Sequence, residues 1–98
     1  MLDTLTIREP AIFYSYLDEE NFFRWLESIP AVTSVSRVGL DLEVSLRQIL
    51  DEPNLRDLIA IFRRYGIDMK CLRHLATSSN ESWFKNPIAY WYKDVFQE

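Results

Sequence analysis

Residues 38–47, VGLDLEVSLR, alternate apolar and polar side chains over their whole length. Successive side chains of a strand point to opposite faces, so this period of two predicts a strand with one buried and one solvated face. Residues 31–37, AVTSVSR, are rich in β-branched side chains, and Gly39 can supply a reversal or a bulge. The segment therefore predicts a β-hairpin over about residues 32–47. The side chains predicted to share the apolar face are Val38, Leu40, Leu42, Val44 and Leu46.

Two similar stretches lie on either side of the hairpin, 33 residues apart: LDEENFFRWL at 17–26 and LDEPNLRDLI at 50–59. Each predicts a helix start, with Asp18 or Asp51 as N-cap and acidic residues in the first turn. Each also predicts a hydrophobic staple, which joins Leu17 to Phe22 and Leu50 to Leu55. The helices are expected to end at Pro30 and Gly66. Their predicted buried arcs are Phe22, Phe23, Trp25, Leu26 and Ile29 in the first helix, and Leu55, Leu58, Ile59, Phe62 and Tyr65 in the second.

These elements predict a single α+β domain over residues 1–98, in which a small antiparallel sheet of three to four strands packs against two long helices and a C-terminal helix. Residues 11–16, AIFYSY, are a candidate first strand. Two arrangements remain open for residues 67–75. As a strand, they complete a ferredoxin-like βαββαβ order with a C-terminal extension, and the repeated stretches mark its two halves. As a helix capped by Asp68, they leave a small sheet with several helices on one face.

Residues 82–96, SWFKNPIAYWYKDVF, contain six aromatic residues. Asn86 and Pro87 predict the N-cap and first residue of a final helix. Its wheel places Ile88, Trp91, Tyr92, Val95 and Phe96 on the buried side. Tyr90 then faces the polar side, and Trp83 and Phe84 precede the helix with no periodic reason to be buried, so all three are candidates for an exposed aromatic surface.

The net charge of −4 is unevenly distributed: residues 1–52 hold four Arg and ten Asp or Glu, giving −6, while residues 53–98 have a net charge of +2. An acidic chain is a poor candidate for binding nucleic acid, where Lys and Arg must neutralise phosphates, and suits a basic protein partner better. The basic residues of 56–73 could form a phosphate-binding strip, but a solvated helix face explains them more simply. No apolar run approaches the 20 or so residues of a membrane span. The first residues lack the features of a signal peptide, and one cysteine cannot form an internal disulfide, so we expect a cytoplasmic protein that does not bind membranes.

Residues with catalytic potential are few. Cys71 and His74 are spaced to meet on a helix, but a nucleophilic cysteine needs an oriented base and structural zinc needs four ligands. The acidic residues near 18–20 and 51–52 are explained as helix-start residues. Asp41 and Glu43 have no such explanation. We therefore expect a non-enzymatic protein without cofactor or metal.

The sequence favours a protein-binding module whose acidic face binds a basic partner, and the residues predicted to contact it are Asp41, Glu43, Glu20, Tyr90 and Trp83. In size and acidity the chain is similar to bacterial immunity proteins that neutralise cationic nuclease toxins, although it shares no motif with them. Two alternatives remain: a homo-oligomeric domain that binds a small ligand, and a small hydrolase-like enzyme that uses Asp41, Glu43 or His74.

Overall fold

The chain folds into a three-stranded antiparallel sheet and a set of helices that cover one side of it. The computed structural model describes residues 3–8, 13–47 and 50–97. The strands are β1 (Asp3–Arg8), β2 (Val32–Val38) and β3 (Asp41–Leu46). The helices are α1 (Tyr16–Ser28), α2 (Glu52–Tyr65), a 3-10 helix (Lys70–Leu75), α3 (Glu81–Phe84) and α4 (Tyr92–Phe96). The predicted α+β class is confirmed.

The predicted hairpin is formed by β2 and β3, and β3 is the central strand in the order β1-β3-β2. The chain reverses at Gly39 and Leu40, and Gly39 adopts φ of +63°, a conformation that is easily accessible to glycine. The prediction that Val38 and Leu40 join the apolar face is wrong. Val38 pairs with Asp41 and therefore points to the solvated side of the sheet, while Leu40 lies in the reversal and is 74% exposed.

The two faces of the sheet are strongly different. One face is buried against the helices and carries Leu5, Ile7, Leu42, Val44 and Leu46. The other face is lined by polar side chains, including Thr4, Thr6, Ser36 and Glu43, and is open to solvent. The alternation predicted for residues 41–46 is confirmed.

The first strand lies earlier than predicted. Residues 13–15 do not form a strand, and Tyr16 already belongs to α1; residues 11–12 lie outside the described residues. β1 is instead formed by Asp3–Arg8, whose residues Leu5 and Ile7 alternate with exposed threonines and pair with β3.

The start of α1 is set by Ser15, whose hydroxyl oxygen accepts a hydrogen bond of 3.1 Å from the Asp18 amide. Asp18 is therefore not the N-cap but lies one turn inside, where its carboxylate accepts a hydrogen bond from the Tyr14 amide. The predicted staple fails for the same reason, since Leu17 is 72% exposed. Phe22 and Leu26 are fully buried as predicted, and α1 ends at Ser28, two residues before Pro30.

The limits of α2 are close to the predicted ones. Asp51 is the N-cap and accepts a hydrogen bond from the Asn54 amide, and Gly66 closes the helix with φ of +68°. Asp18 and Asp51 occupy matching positions in the two similar stretches but different positions in their helices, so the 33-residue similarity does not mark two equivalent halves. Ile61, which the helical wheel places at the margin of the predicted buried face of α2, is also fully buried.

Residues 70–75 form a 3-10 helix, and no described residue of 67–75 belongs to the sheet. Of the two arrangements left open, the small sheet with several helices is therefore the observed one, and the ferredoxin-like order is not formed. Lys70 donates its amide to Asp68, which supports the start of this turn. Ile67, Met69, Leu72 and Leu75 are buried and extend the core beyond the end of α2.

The predicted C-terminal helix is shorter than expected. Asn86 accepts a hydrogen bond from the Ile88 amide in a local turn, and helix α4 begins only at Tyr92. Ile88 is 89% exposed, against the prediction, because it lies in that turn. Trp91 and Val95 are buried as predicted. The prediction of Phe84 as a candidate surface aromatic is wrong, because Phe84 is fully buried in α3.

Candidate functional site

Asp41 and Glu43 lie on the open polar face of the sheet. Asp41 forms an ion pair with Arg8 of β1, with 3.1 Å between the Arg8 Nε and Asp41 Oδ1 atoms. Glu43 is exposed in the middle of β3, with Thr6 and Ser36 opposite it on the flanking strands. The pairing of Asp41 with Arg8 lowers the negative charge that this face presents to a partner.

Helix α1 carries the largest net negative charge of any described element, −3 from four acidic residues and one arginine. Its outer side forms one wall of an open cleft of about 550 Å³, which we call the α1 groove. The residues that line it include Tyr16, Glu19, Glu20, Phe23 and Glu27 on α1 and Arg37 on β2. The groove thus combines three carboxylates with two aromatic rings.

Arg37 connects the two walls of the α1 groove. Its guanidinium lies 3.4 Å from the Glu19 carboxylate and its Cζ atom lies 5.0 Å from the centre of the Phe23 ring. On the same wall, Glu20 forms an ion pair with Arg24 one turn further along α1. Glu27 forms no ion pair with any described residue. These contacts position the side chains of the groove while leaving it acidic, with three carboxylates and two guanidinium groups.

Trp83 and Tyr90 lie on another part of the surface, where the C-terminal segment packs on α2. Arg56 of α2 lies over the Trp83 ring at 4.5 Å and over the Trp91 ring at 5.5 Å. Tyr90 is 53% exposed, and its ring packs edge-on against Trp91 with centroids 4.9 Å apart. Trp83 is half-buried. Tyr90 is therefore an exposed aromatic residue, as predicted, but its neighbours belong to the local packing.

Three basic residues of the second half of the chain bind the C-terminal segment. Arg63 forms an ion pair of 2.8 Å with Asp94, Lys70 donates to the Gln97 carbonyl oxygen at 2.7 Å, and Arg73 donates to the Val95 carbonyl oxygen at 3.0 Å. These contacts give three of the seven Lys and Arg residues of 53–98 an internal structural role.

The five residues predicted to bind a partner therefore lie on three separate surfaces. Asp41 and Glu43 are on the open sheet face, Glu20 is in the α1 groove, and Trp83 and Tyr90 are beside α2. The helices cover the face of the sheet opposite to Asp41 and Glu43. A single small interface cannot include all five.

Several residues of the α1 groove were missed by the sequence reasoning, which assigned Phe23 to the buried arc of the first helix and gave Glu27 no role in partner binding. A signal was present, because residues 16, 20, 23 and 27 recur at helical spacing and form one stripe of two aromatic and two acidic side chains. The contribution of Arg37 had no such signal, since it depends on how β2 packs beside α1.

Cys71 and His74 both line a cleft of about 290 Å³ between the 3-10 helix and β1, where the other lining residues are Thr4, Leu5, Thr6 and Leu75. Burial raises the pKa of the Cys71 thiol above its ordinary value of 9.0, and the nearby Asp68 carboxylate acts in the same direction. A thiol of raised pKa is mostly protonated at neutral pH, whereas a nucleophilic cysteine requires the thiolate.

We expect Cys71 to react with iodoacetamide at pH 8 more slowly in the folded protein than in the urea-unfolded chain, because the folded thiol has the smaller thiolate fraction. The folded-state rate should still be rising above pH 9. Mass spectrometry of the alkylated protein over time measures both rates, and a His74→Gln variant should react at the same rate as the wild type. A faster reaction in the folded protein, lost in His74→Gln, would contradict this interpretation.

No group of three or more His, Cys, Asp or Glu side chains in the described part of the chain is arranged to hold a metal ion. Within the same ranges, each helix is too short or too polar to cross a membrane. Comparisons with protein-family models, with curated proteins and with solved structures gave no match.

Proposed function

We propose that this protein is a non-enzymatic protein-binding module that receives a basic segment of its partner in the α1 groove. The observation that carries the proposal is the combination of Glu19, Glu20 and Glu27 with the rings of Tyr16 and Phe23 along one side of α1. Carboxylates attract lysine and arginine head groups, and aromatic rings bind the cations and the apolar stems behind them. A surface with both features suits a basic protein segment.

The aromatic rings, rather than charge alone, favour this surface over the sheet face. The groove carries three carboxylates and two guanidinium groups, a net charge of −1, and Asp41, Glu43 and Arg8 give the sheet face the same net charge, but only the groove places Tyr16 and Phe23 beside its carboxylates. An inhibitor or immunity-type role is a narrower form of this proposal, since neutralising a cationic enzyme requires such an acidic surface. Electrostatic attraction of this kind speeds association and weakens as salt screens the charges.

Affinity capture from an extract of the native host tests the proposal with a matched set of variants. Glu20→Gln/Glu27→Gln removes two charges from the α1 groove. Asp57→Asn/Glu81→Gln removes two charges from exposed positions outside it, and Asp41→Asn/Glu43→Gln removes two from the sheet face. We expect a basic protein to be retained by the wild type and by the last two variants, to be lost from the groove variant, and to elute as salt is raised from about 0.1 M to about 1 M.

Thermal unfolding of all four proteins controls for loss of structure, and exposed substitutions of this kind should change stability by less than about 0.5 kcal/mol. Retention of the partner by the groove variant, together with loss from the sheet-face variant, would move the binding surface to Asp41 and Glu43. A captured partner that is acidic, or one that stays bound at high salt in every variant, would contradict the proposal.

A further inference from the structure

Among the described residues, strand β2 is an edge strand with one side open. In the described part of the chain it pairs only with β3, so backbone N–H and C=O groups of alternate residues point away from the sheet. Residues 33, 34 and 36–38 are exposed. Such an edge is a template for an added strand unless the protein protects it.

The two edges of this sheet differ in what lies beside them and in how they are protected from pairing with another strand. Beside β1 lies the 3-10 helix, which shares a cleft with Thr4, Leu5 and Thr6. β2 has a register irregularity between Val32 and Ser34, which disturbs only its first residues. The sequence of β2, VTSVSRV, has no proline, lysine or acidic residue, and the charge of its one arginine, Arg37, lies against Glu19 of α1. The usual protections of an edge strand are therefore missing from residues 34–38.

The open edge lies beside the α1 groove, because Arg37 belongs to both. The groove follows α1 from Tyr16 to Glu27, which is about 17 Å at 1.5 Å per residue. An extended segment of five residues spans about the same distance. A strand added to β2 would thus lie beside the groove at Arg37, could match it in length, and would place every second side chain on the side where α1 lies.

We propose that β2 accepts an extended segment of the partner as a fourth strand, and that the side chains of this segment facing α1 are lysine or arginine. This inference rests on the proposed function and adds the conformation of the bound segment. Glu20 and Glu27 are complementary to the basic side chains, and Phe23 lies between them along the helix. The alternate side chains of the segment extend the polar sheet face next to Ser34 and Ser36, so small or β-branched residues fit there.

The probe is an acetylated, amidated seven-residue peptide that alternates lysine with valine or threonine, titrated into the ¹⁵N-labelled full chain. Two derivatives carry N-methyl groups, one on the lysines and the other on the remaining residues. Alternate N–H groups of a strand point to opposite edges, so one derivative cannot pair with β2 and the other can. We expect the derivative that cannot pair with β2 to bind at least tenfold more weakly than the derivative that can. We also expect chemical-shift changes of the β2 amides and slower hydrogen exchange along β2 when the parent peptide binds. The Glu20→Gln/Glu27→Gln variant should bind the parent peptide about fivefold more weakly.

Equal binding of both methylated derivatives, with shifts in α1 alone, would overturn strand addition while leaving the basic-segment proposal intact. Absence of binding at millimolar peptide would also overturn strand addition. The proposed function would then be tested separately by affinity capture from the host extract. Protected β2 amides together with a dimeric mass in the peptide-free protein would show that a second copy of the chain occupies this edge, which contradicts the inference.

Discussion

Replacing Phe22 by alanine is expected to lower the free energy of unfolding by about 3 to 5 kcal/mol. Phe22 is fully buried, and its ring contacts Phe13, Phe23 and Tyr65 with centroid distances of 5.7, 5.0 and 4.9 Å. The contact with Tyr65 joins α1 to α2, so alanine both leaves a cavity and loosens the helix that carries the acidic groove. Domains of this size are typically stable by about 5 to 15 kcal/mol, and urea denaturation should show a much lower midpoint.

Leu17→Ala on the same helix is the matched control. The sequence pattern predicted that Leu17 is held in a staple with Phe22, but its 72% exposure means that truncation should change stability by no more than about 0.5 kcal/mol. A loss above about 1 kcal/mol in Leu17→Ala would contradict the exposed position of this residue, as would a loss in Phe22→Ala no larger than that of the control.

Trp91→Ala is expected to cost about 3 to 5 kcal/mol as well. Trp91 is 5% exposed, its Nε1 donates a hydrogen bond of 2.7 Å to the Phe84 carbonyl oxygen, and its ring packs against Trp83 and Tyr90. Trp91→Phe keeps most of the ring but leaves the Phe84 carbonyl without this donor, so an intermediate loss of about 1 to 3 kcal/mol is expected. Urea denaturation monitored by far-ultraviolet circular dichroism gives both values without relying on tryptophan fluorescence.

Ile88→Ala serves as the control for the C-terminal segment. Ile88 was predicted on the same buried stripe as Trp91, yet its side chain is 89% exposed in the turn before α4. Its truncation should therefore change stability by at most about 0.5 kcal/mol. Similar losses for Ile88→Ala and Trp91→Ala would support the continuous helix that the pattern predicted and contradict the observed turn.

The elements that local chemistry determines could be predicted from the sequence. The hairpin depends on alternation and on Gly39, and α2 depends on the Asp51 cap and on Gly66, so each signal lies within the element that it specifies. α1 was predicted with the wrong cap because Asp18 and Ser15 are both good capping residues. The choice between them is made by the reciprocal bonds at residues 14, 15 and 18.

The remaining errors come from contacts between distant segments. Residues 70–75 carry a pattern compatible with a strand or a helix. In the structure they form a 3-10 helix that packs beside β1 and α4, and the sequence does not show these contacts. The basic residues of α2 were read as a free face because the sequence does not show that Arg63 meets Asp94, 31 residues away. The α1 groove was missed for the same reason, since Arg37 reaches Glu19 only once β2 lies beside the helix.

The central claim is that the acidic groove of α1, and not the acidic residues of the sheet, binds a basic partner. Isothermal titration of the captured partner with wild type, Glu20→Gln/Glu27→Gln and Asp41→Asn/Glu43→Gln, each at about 0.1 M and about 1 M salt, tests it most directly. We predict that the groove variant binds about tenfold more weakly than wild type at low salt and loses less affinity as salt rises, while the sheet-face variant behaves as wild type. Unchanged binding in the groove variant with weakened binding in the sheet-face variant would contradict the claim.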